Sequence, residues 1–386
     1  MSDLNASDEF ALLSVDAQIN LERFTARLQQ RALSMIRVLE DELVARIAVF
    51  DLAGIPRAST QRRRTEALIR DIRTILGKRF GMAEKRVSTE LRELSAFVHP
   101  NTVAMINTVF SVNIAKATIT SADLKALANE IVVLGEPAAD WWAGQEEGTR
   151  RRFAREMRNG VLAGDTNNEL IKRVRGKPTG RTMSVELGNG VVSKVPVYSG
   201  GVLQVTRNQV DALVRTSVQS VANEALMATY KANADIMKGV EALVTLDSRT
   251  SDICMARAGA AWDFEGEPLP GTTNEGFPGP PPWHFRCRSV LVPITKTWSE
   301  IIEEQTGKKL KVLETVPDSK RTSFDGLISG KVRTFDDYLK LKGDPWARKK
   351  LGPGRYDLWK QGKITMRQLI DQSGRPRTLA QLLELV

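Results

Sequence analysis

From Leu21 onward the apolar positions Phe24, Leu28, Ala32, Met35, Leu39, Leu43, Ile47 and Phe50 recur every three or four residues. That is the repeat of an α-helix with one buried face. The spacing tracks 3.6 and drifts off a strict 3.5 repeat, which predicts packing in a bundle and not a long coiled coil, with Gly54-Ile55-Pro56 ending the helix. A second helix is predicted from about Ser59 and a third helical zone over roughly Pro100 to Leu134, which Gly135-Glu136-Pro137 breaks before Trp141-Trp142. Two adjacent tryptophans cannot share one helix face, so one is expected inside and the other over a neighbouring element or a partner subunit. His99, beside Pro100, reads as a helix-end residue without a catalytic role.

Downstream, the helix around Thr149 to Arg158 is expected to end at Asn159-Gly160, and Thr166 with Glu169 forms a capping-box pattern that starts the next one. Alternation in Thr182–Leu187 and Val191–Val197 around Gly188-Asn189-Gly190 predicts a β-hairpin, and Pro196 within it implies an edge position. A long helix is predicted from Thr206 to about Met237. Two short strands follow, Ala242–Leu246 and Ser289–Ile294, so the intervening loop leaves and re-enters one small sheet. From Gly266 to Pro282 that loop has ten Gly or Pro in seventeen positions, too irregular for a helix or strand and long enough to need fixing.

The fold class these patterns predict is mainly α with a small α+β module: helical bundle regions, one β-hairpin and a small sheet. The expected division is a helical region over 1–140, an α+β module over 141–298, a linker over 299–323 and a helical extension over 324–386. In that extension Trp346, Tyr356 and Trp359 are expected to dock, with Arg348-Lys349-Lys350 and Lys360 forming a solvated basic surface.

With 386 residues the chain exceeds what one hydrophobic core fills. Its 56 Lys and Arg against 46 Asp and Glu give a net charge of +10, which favours polyanions or acidic protein surfaces as partners. The densest basic stretch comprises Arg62, Arg63, Arg64, Arg70, Arg73, Lys78 and Arg79, and a second group is Arg150, Arg151 and Arg152. These are the candidate phosphate contacts. Lacking interleaved aromatics to stack bases, the runs also fit a solvated or protein-facing surface, the reading the pattern favours. Two cysteines supply no disulfide framework and point to a reducing compartment. The start of the chain lacks a signal-peptide pattern, and no apolar run is long enough for a membrane span, so a soluble, untargeted protein is expected.

Any thiol or metal chemistry must fall in one segment, because Cys254, Cys287 and one of the two histidines, His284, all lie there. Three devices can hold the Gly/Pro loop. Zinc can use Cys254, His284 and Cys287, with Asp247 or water fourth. A disulfide can join the cysteines, against the expected compartment. Ordinary packing of buried thiols, with Asp247 and Arg249 capping turns or pairing, is the reading favoured here, since a fourth strong metal donor is missing. Two histidines exclude most Ser/His/Asp arrangements, and no phosphate-binding Gly loop or base-reading helix-turn-helix pattern is present. The enzymatic alternative is a metal-dependent hydrolase built on Asp247, His284 and Cys287, with Asp252 as general base.

The order Thr245-Leu246-Asp247-Ser248-Arg249-Thr250, Cys254, Gly259, Trp262, then Pro281-Pro282-Trp283-His284, Cys287-Arg288 and Pro293 resembles the Mu F-like head-morphogenesis family, minor head proteins of tailed bacteriophages. The resemblance extends over roughly Trp141 to Ile294. It includes Arg215-Thr216-Ser217 and Ala222-Asn223-Glu224-Ala225 on the long helix, and C-terminal stretches such as Leu351-Gly352-Pro353-Gly354-Arg355 are similar to tails of some members. One departure is Ser289, where the family often has a third thiolate. The resemblance implies a non-enzymatic virion component near the portal vertex, present in the host cytoplasm during assembly. Its implied partners are the portal protein and other head proteins, and packaged double-stranded DNA bound without sequence preference. Its implied role is in head assembly and in DNA packaging or ejection. Asp247, Ser248, Arg249, Thr250, Cys254, His284, Cys287 and Arg288 are its signature residues.

Overall fold

The computed structural model describes residues 6–49, 58–186, 192–306, 332 and 334–386. In chain order the elements are α1 (Ala6–Val49), α2 (Ala58–Phe110), α3 (Ser121–Asn129), β1 (Val132–Val133), β2 (Glu136–Pro137), α4 (Ala138–Ala163), α5 (Asn167–Arg175), β3 (Lys177–Glu186), β4 (Val192–Ser199) and α6 (Gly201–Ala232). The rest are β5 (Met237–Leu243), α7 (Asp252–Arg257), β6 (Ala261–Trp262), β7 (Val290–Thr295), α8 (Trp298–Thr306), α9 (Phe335–Lys342), α10 (Asp344–Leu351), α11 (Pro353–Lys360) and α12 (Leu379–Leu383). The chain is therefore mainly α with small antiparallel sheets, β1-β2, β3-β4 and β6-β5-β7.

Two compact units are distinguishable. One is made of the described residues up to Leu21, of Leu94–Leu127 and of those from Gln219 onward, and the other of Glu22–Glu93 and Ala128–Val218. They do not follow the consecutive division at 140, 298 and 323. The first residues of the expected linker belong to helix α8, and positions 307–323, like the expected start of the extension at 324, lie outside the described residues.

In the second unit the α1 stripe is buried at Leu28, Ala32, Leu39, Leu43 and Ile47, with Ile36 rather than Met35 between them. The α2 stripe Leu68, Ile72, Leu76, Phe80, Ala83, Val87 and Leu91 is buried too, at the three- and four-residue spacing of one helix face. Trp142 is the inward tryptophan and meets Phe80 edge-on at 6.4 Å, whereas the Trp141 indole N–H donates to the Val133 carbonyl at 2.7 Å. The same unit holds a polar centre that no hydrophobic periodicity marks. Glu40, fully buried, takes hydrogen bonds from Arg37 at 3.1 Å, Arg175 at 2.7 Å and Arg207 at 2.8 Å. The guanidinium groups of Arg37 and Arg175 also lie against the Tyr198 ring, at 5.5 and 4.8 Å. Without Glu40, Arg207 would lose its carboxylate partner while Arg37 and Arg175 would keep Asp41, and breaking a buried pair typically costs about 3–5 kcal/mol.

Several helix boundaries differ from expectation, among them the end of α6 at Ala232 and not near Met237, and the end of α3 at Asn129 and not at Leu134. Helix α2 runs through Pro100 to Phe110 instead of yielding a separate third helix there. His99 is thus a buried mid-helix residue whose Nδ1 lies 2.9 Å from the Thr229 hydroxyl. Helix α4 continues past Asn159-Gly160 to Gly164, which caps it in the left-handed conformation; a Cβ at Gly160 would meet the Leu170 side chain at 2.4 Å, so that glycine serves packing rather than termination. Helix α6 starts at Gly201, not at Thr206, whose buried hydroxyl contacts that of Thr149 at 2.9 Å. The Thr166/Glu169 capping box is present. The hairpin pairs Thr182 with Pro196 and Glu186 with Val192, while its expected turn lies outside the described residues.

In the first unit, β5 is the central strand of the sheet that carries the motif, starting at Met237 and ending at Leu243, earlier than the expected Ala242–Leu246. Gly239 permits close approach of β6: a Cβ there would stand 2.0 Å from the Trp262 carbonyl oxygen. Phe10, Ile106, Phe110, Met227, Tyr230, Val240, Leu291 and Ile301 form one core behind the sheet. A second core joins Val244, Cys254, Met255 and Cys287 to Phe335, Leu339, Trp359, Met366 and Leu382. Tyr356 and Trp359 dock inside this core and Trp346 against its edge, as expected.

Candidate functional site: a clamp around the cysteine and histidine cluster

Strand register explains how two motif halves about thirty residues apart in sequence meet. Antiparallel pairing sets Leu243, the last residue of β5, against Val290, the first of β7. The chain leaving β5 toward Cys254 therefore lies beside the chain entering β7 from His284. Helix α6 braces this junction. Buried Asn223 accepts from the Leu291 N–H at 3.2 Å and donates to the Ser289 carbonyl at 3.4 Å, and the Tyr230 hydroxyl donates to the Leu291 carbonyl at 3.3 Å.

The Asp247–Thr250 segment is a turn knotted by its own side chains. Thr250 Oγ1 accepts from the Asp247 N–H at 3.0 Å and donates to the Thr245 carbonyl at 2.6 Å, while Asp247 Oδ1 accepts from the Arg249 N–H at 2.8 Å. Arg288 then reaches across from the other half with both terminal nitrogens 2.8 Å from the two Asp247 oxygens. A bidentate pair of this kind fixes orientation as well as distance. Partial burial alone would raise the Asp247 pKa, but the hydrogen bonds from Arg288 and the Arg249 backbone outweigh it and hold the carboxyl well below the usual range. Arg249 adds an exposed ion pair at 3.2 Å, and Ser248 is exposed.

Behind this turn Ser251 caps α7, accepting from the Cys254 N–H at 3.2 Å. The cap sets Cys254 toward the other half of the motif. Its Sγ lies 3.1 Å from His284 Nε2 and 3.7 Å from Cys287 Sγ. Both thiols are free and buried, so the disulfide alternative is not what this structure contains. Hydrogen bonding from Cys254 holds the Cys287 thiol well below its ordinary pKa with His284 assisting, and the same bond pushes Cys254 up. The Ser251 hydroxyl also stands 2.8 Å from His284 Nε2, and His284 Nδ1 stands 2.8 Å from the Phe285 carbonyl.

The Gly/Pro loop is tied at several points. Arg257, 5% exposed, pairs with Glu275 and lies 4.9 Å from the Trp283 ring centre; the indole of buried Trp262 donates to the Glu275 carbonyl at 2.7 Å. The C-terminal segment closes the other side. Lys350 donates to the Ser248 and Thr250 carbonyls at 3.0 and 2.6 Å, and Arg355 pairs with Asp252 at 2.6 Å. Lys350 is therefore a clamp residue instead of part of a solvated surface. Burial lowers its pKa, opposed by Asp252 and Asp247.

Among the described residues, the group able to hold a metal comprises Cys254, His284 and Cys287, with ligand atoms within 4.8 Å of one another. Asp247 is not in it: both its oxygens are engaged by Arg288. Asp252, the hydrolase reading's base, is bound to Arg355. Glu275, Lys350 and Arg355 take clamp roles that depend on tertiary proximity and that no local pattern marks, while Ser251 combines a local helix cap with a tertiary contact to His284; Asn223 stood in the quoted helix motif without an assigned role.

The candidate nucleic-acid residues separate into two sets. Arg62, Arg63, Arg64, Arg70, Arg73 and Lys78 are exposed on α2. Arg79 pairs with Glu42, Arg150 and Arg151 share Glu147, and Arg152 turns inward to Gln209 at 3.0 Å.

Fold and site together define a mainly helical protein whose first unit carries a small α+β clamp. Residues 151–292 match the family model described as Phage Mu protein F like protein. This segment is thus similar to the Mu F-like family, the resemblance its motif order carried, and that family is one of bacteriophage head morphogenesis. No curated protein and no solved structure matches the chain significantly. Among the described residues, no helix is long and apolar enough to cross a membrane.

Proposed function

We propose that this chain is a minor head protein of a tailed bacteriophage, a virion component at the portal vertex that assists head assembly and acts in DNA packaging or ejection. The observation that carries this reading is the family match over 151–292. The clamp supports a structural role, since its polar groups are spent on holding chain segments together. The hydrolase alternative lacks such support: the carboxylate it needs is bound bidentately by Arg288, and its proposed base by Arg355.

The basic face of α2 adds a partner to the proposal. At 100° per residue, Arg62, Arg63, Arg70 and Arg73 fall within about 100° of one another around the helix axis. A face of that width can track a phosphate backbone and would bind duplex DNA regardless of sequence. The portal contact is tested by co-expressing the chain with the portal protein of the same phage and capturing either one. Co-purification through a salt wash is expected; clean separation at low salt would remove the portal from the proposal.

A further inference from the structure

The convergence of Cys254, His284 and Cys287 goes further than packing requires. We propose that these three side chains bind a thiophilic divalent cation of the zinc class, with the Ser289 hydroxyl or a water as fourth ligand. The site pins the two halves of the clamp to each other, and it stands independently of the assignment to phage heads.

Four observations carry this. First, the sulfurs are 3.7 Å apart, close to the span of about 3.8 Å that two zinc–sulfur bonds of about 2.3 Å enclose at a tetrahedral angle. The sulfur–nitrogen contact of 3.1 Å needs to open by only about 0.4 Å to reach the tetrahedral value. Second, the imidazole is oriented for ligation. The Phe285 carbonyl 2.8 Å from Nδ1 can only accept, so in the neutral ring the proton resides on Nδ1 and the Nε2 lone pair faces the thiols. Metal-binding histidines are commonly fixed by this backbone contact.

Third, oxygen donors surround the same focus. The Ser289 hydroxyl is 3.3 Å from Cys254 Sγ, in a side chain 1% exposed, and the Ser251 hydroxyl is 2.8 Å from Nε2. Ser251 is engaged in capping α7, which leaves Ser289 as the better-placed fourth donor. Fourth, the cluster lies where a cross-link does most. It joins the N-terminus of α7 to the end of a loop of ten Gly or Pro in seventeen residues, beside a sheet of three strands. Binding replaces the thiol protons, which pass to solvent, by one cation; no redox step is involved.

The test uses the full chain, without a metal-chelating tag and under reducing conditions. Elemental analysis is expected to find about one zinc per chain. Cobalt(II) in its place should give the intense tetrahedral visible bands and thiolate charge transfer of a two-sulfur site. Cys254→Ser and Cys287→Ser should each lose the metal, His284→Ala should weaken it at least about tenfold, and Ser289→Cys should tighten it and strengthen the charge-transfer band. Should the cysteine variants fail to fold, the wild-type chain still decides: zinc should slow thiol modification and a chelator should restore it. Wild-type protein that takes up neither zinc nor cobalt, with thiol reactivity indifferent to both, overturns the proposal.

Discussion

Asp247 receives both terminal nitrogens of Arg288 at 2.8 Å and the Arg249 backbone N–H at 2.8 Å, so one carboxylate orients both halves of the motif. Replacing it by Asn keeps the shape but leaves Arg288, itself largely buried, short of its counter-charge. We expect Asp247→Asn to lower stability by about 2 kcal/mol, the scale of hydrogen bonds to a charged group, measured by urea denaturation. The pH dependence has a definite sign. The folded-state pKa is depressed, so this contribution is complete above the unfolded carboxyl value of about 3.9 and is lost as pH falls through the folded value. Wild-type stability should therefore fall below about pH 4 more steeply than that of Asp247→Asn. Equal slopes would show that the pair contributes nothing to acid stability.

At the scale of elements, the C-terminal helices are part of the clamp's core and not an appendage. Phe335, fully buried, meets Tyr338 at 5.5 Å and Trp346 at 6.3 Å in the core that also contains both thiols. Phe335→Ala should cost about 3–5 kcal/mol, and the loosened core should quicken modification of Cys254 and Cys287 by a thiol reagent. Unchanged thiol reactivity despite lost stability would separate the two. Periodicity made α1 legible in the chain because a one-sided stripe such as Leu28, Ala32, Leu39 and Leu43 leaves little choice of element, and a second helix was expected from about Ser59. Their ends were less legible. Pro100 normally breaks a helix, yet Leu94 and Ile106 are buried on either side of it, and packing keeps α2 continuous. The thiols and His284 could be selected from composition alone. Lys350 and Arg355 could not, since nothing in a local pattern shows that α10 and α11 lie against the motif turn. Glu40 was hidden for the same reason: its arginines come from α1, α5 and α6.

For the molecule as a whole, the net charge of +10 includes a run of exposed cations on α2. Binding to non-specific duplex DNA should weaken steeply with salt, each lost phosphate contact reducing the log–log slope by about 0.9. Joint replacement of Arg62, Arg63, Arg70 and Arg73 by Gln should flatten that slope, whereas replacement of Arg79, Arg150 and Arg151 should alter it far less. Equal effects of the two sets would move any DNA contact away from the α2 face. The central claim, that this chain is a structural part of a phage head, is tested most directly by quantitative mass spectrometry of gradient-purified virions beside DNA-free proheads. The account predicts the chain in both particles at a low, fixed ratio to the portal protein. Its absence from both, with the protein abundant in the infected-cell lysate, would contradict the account.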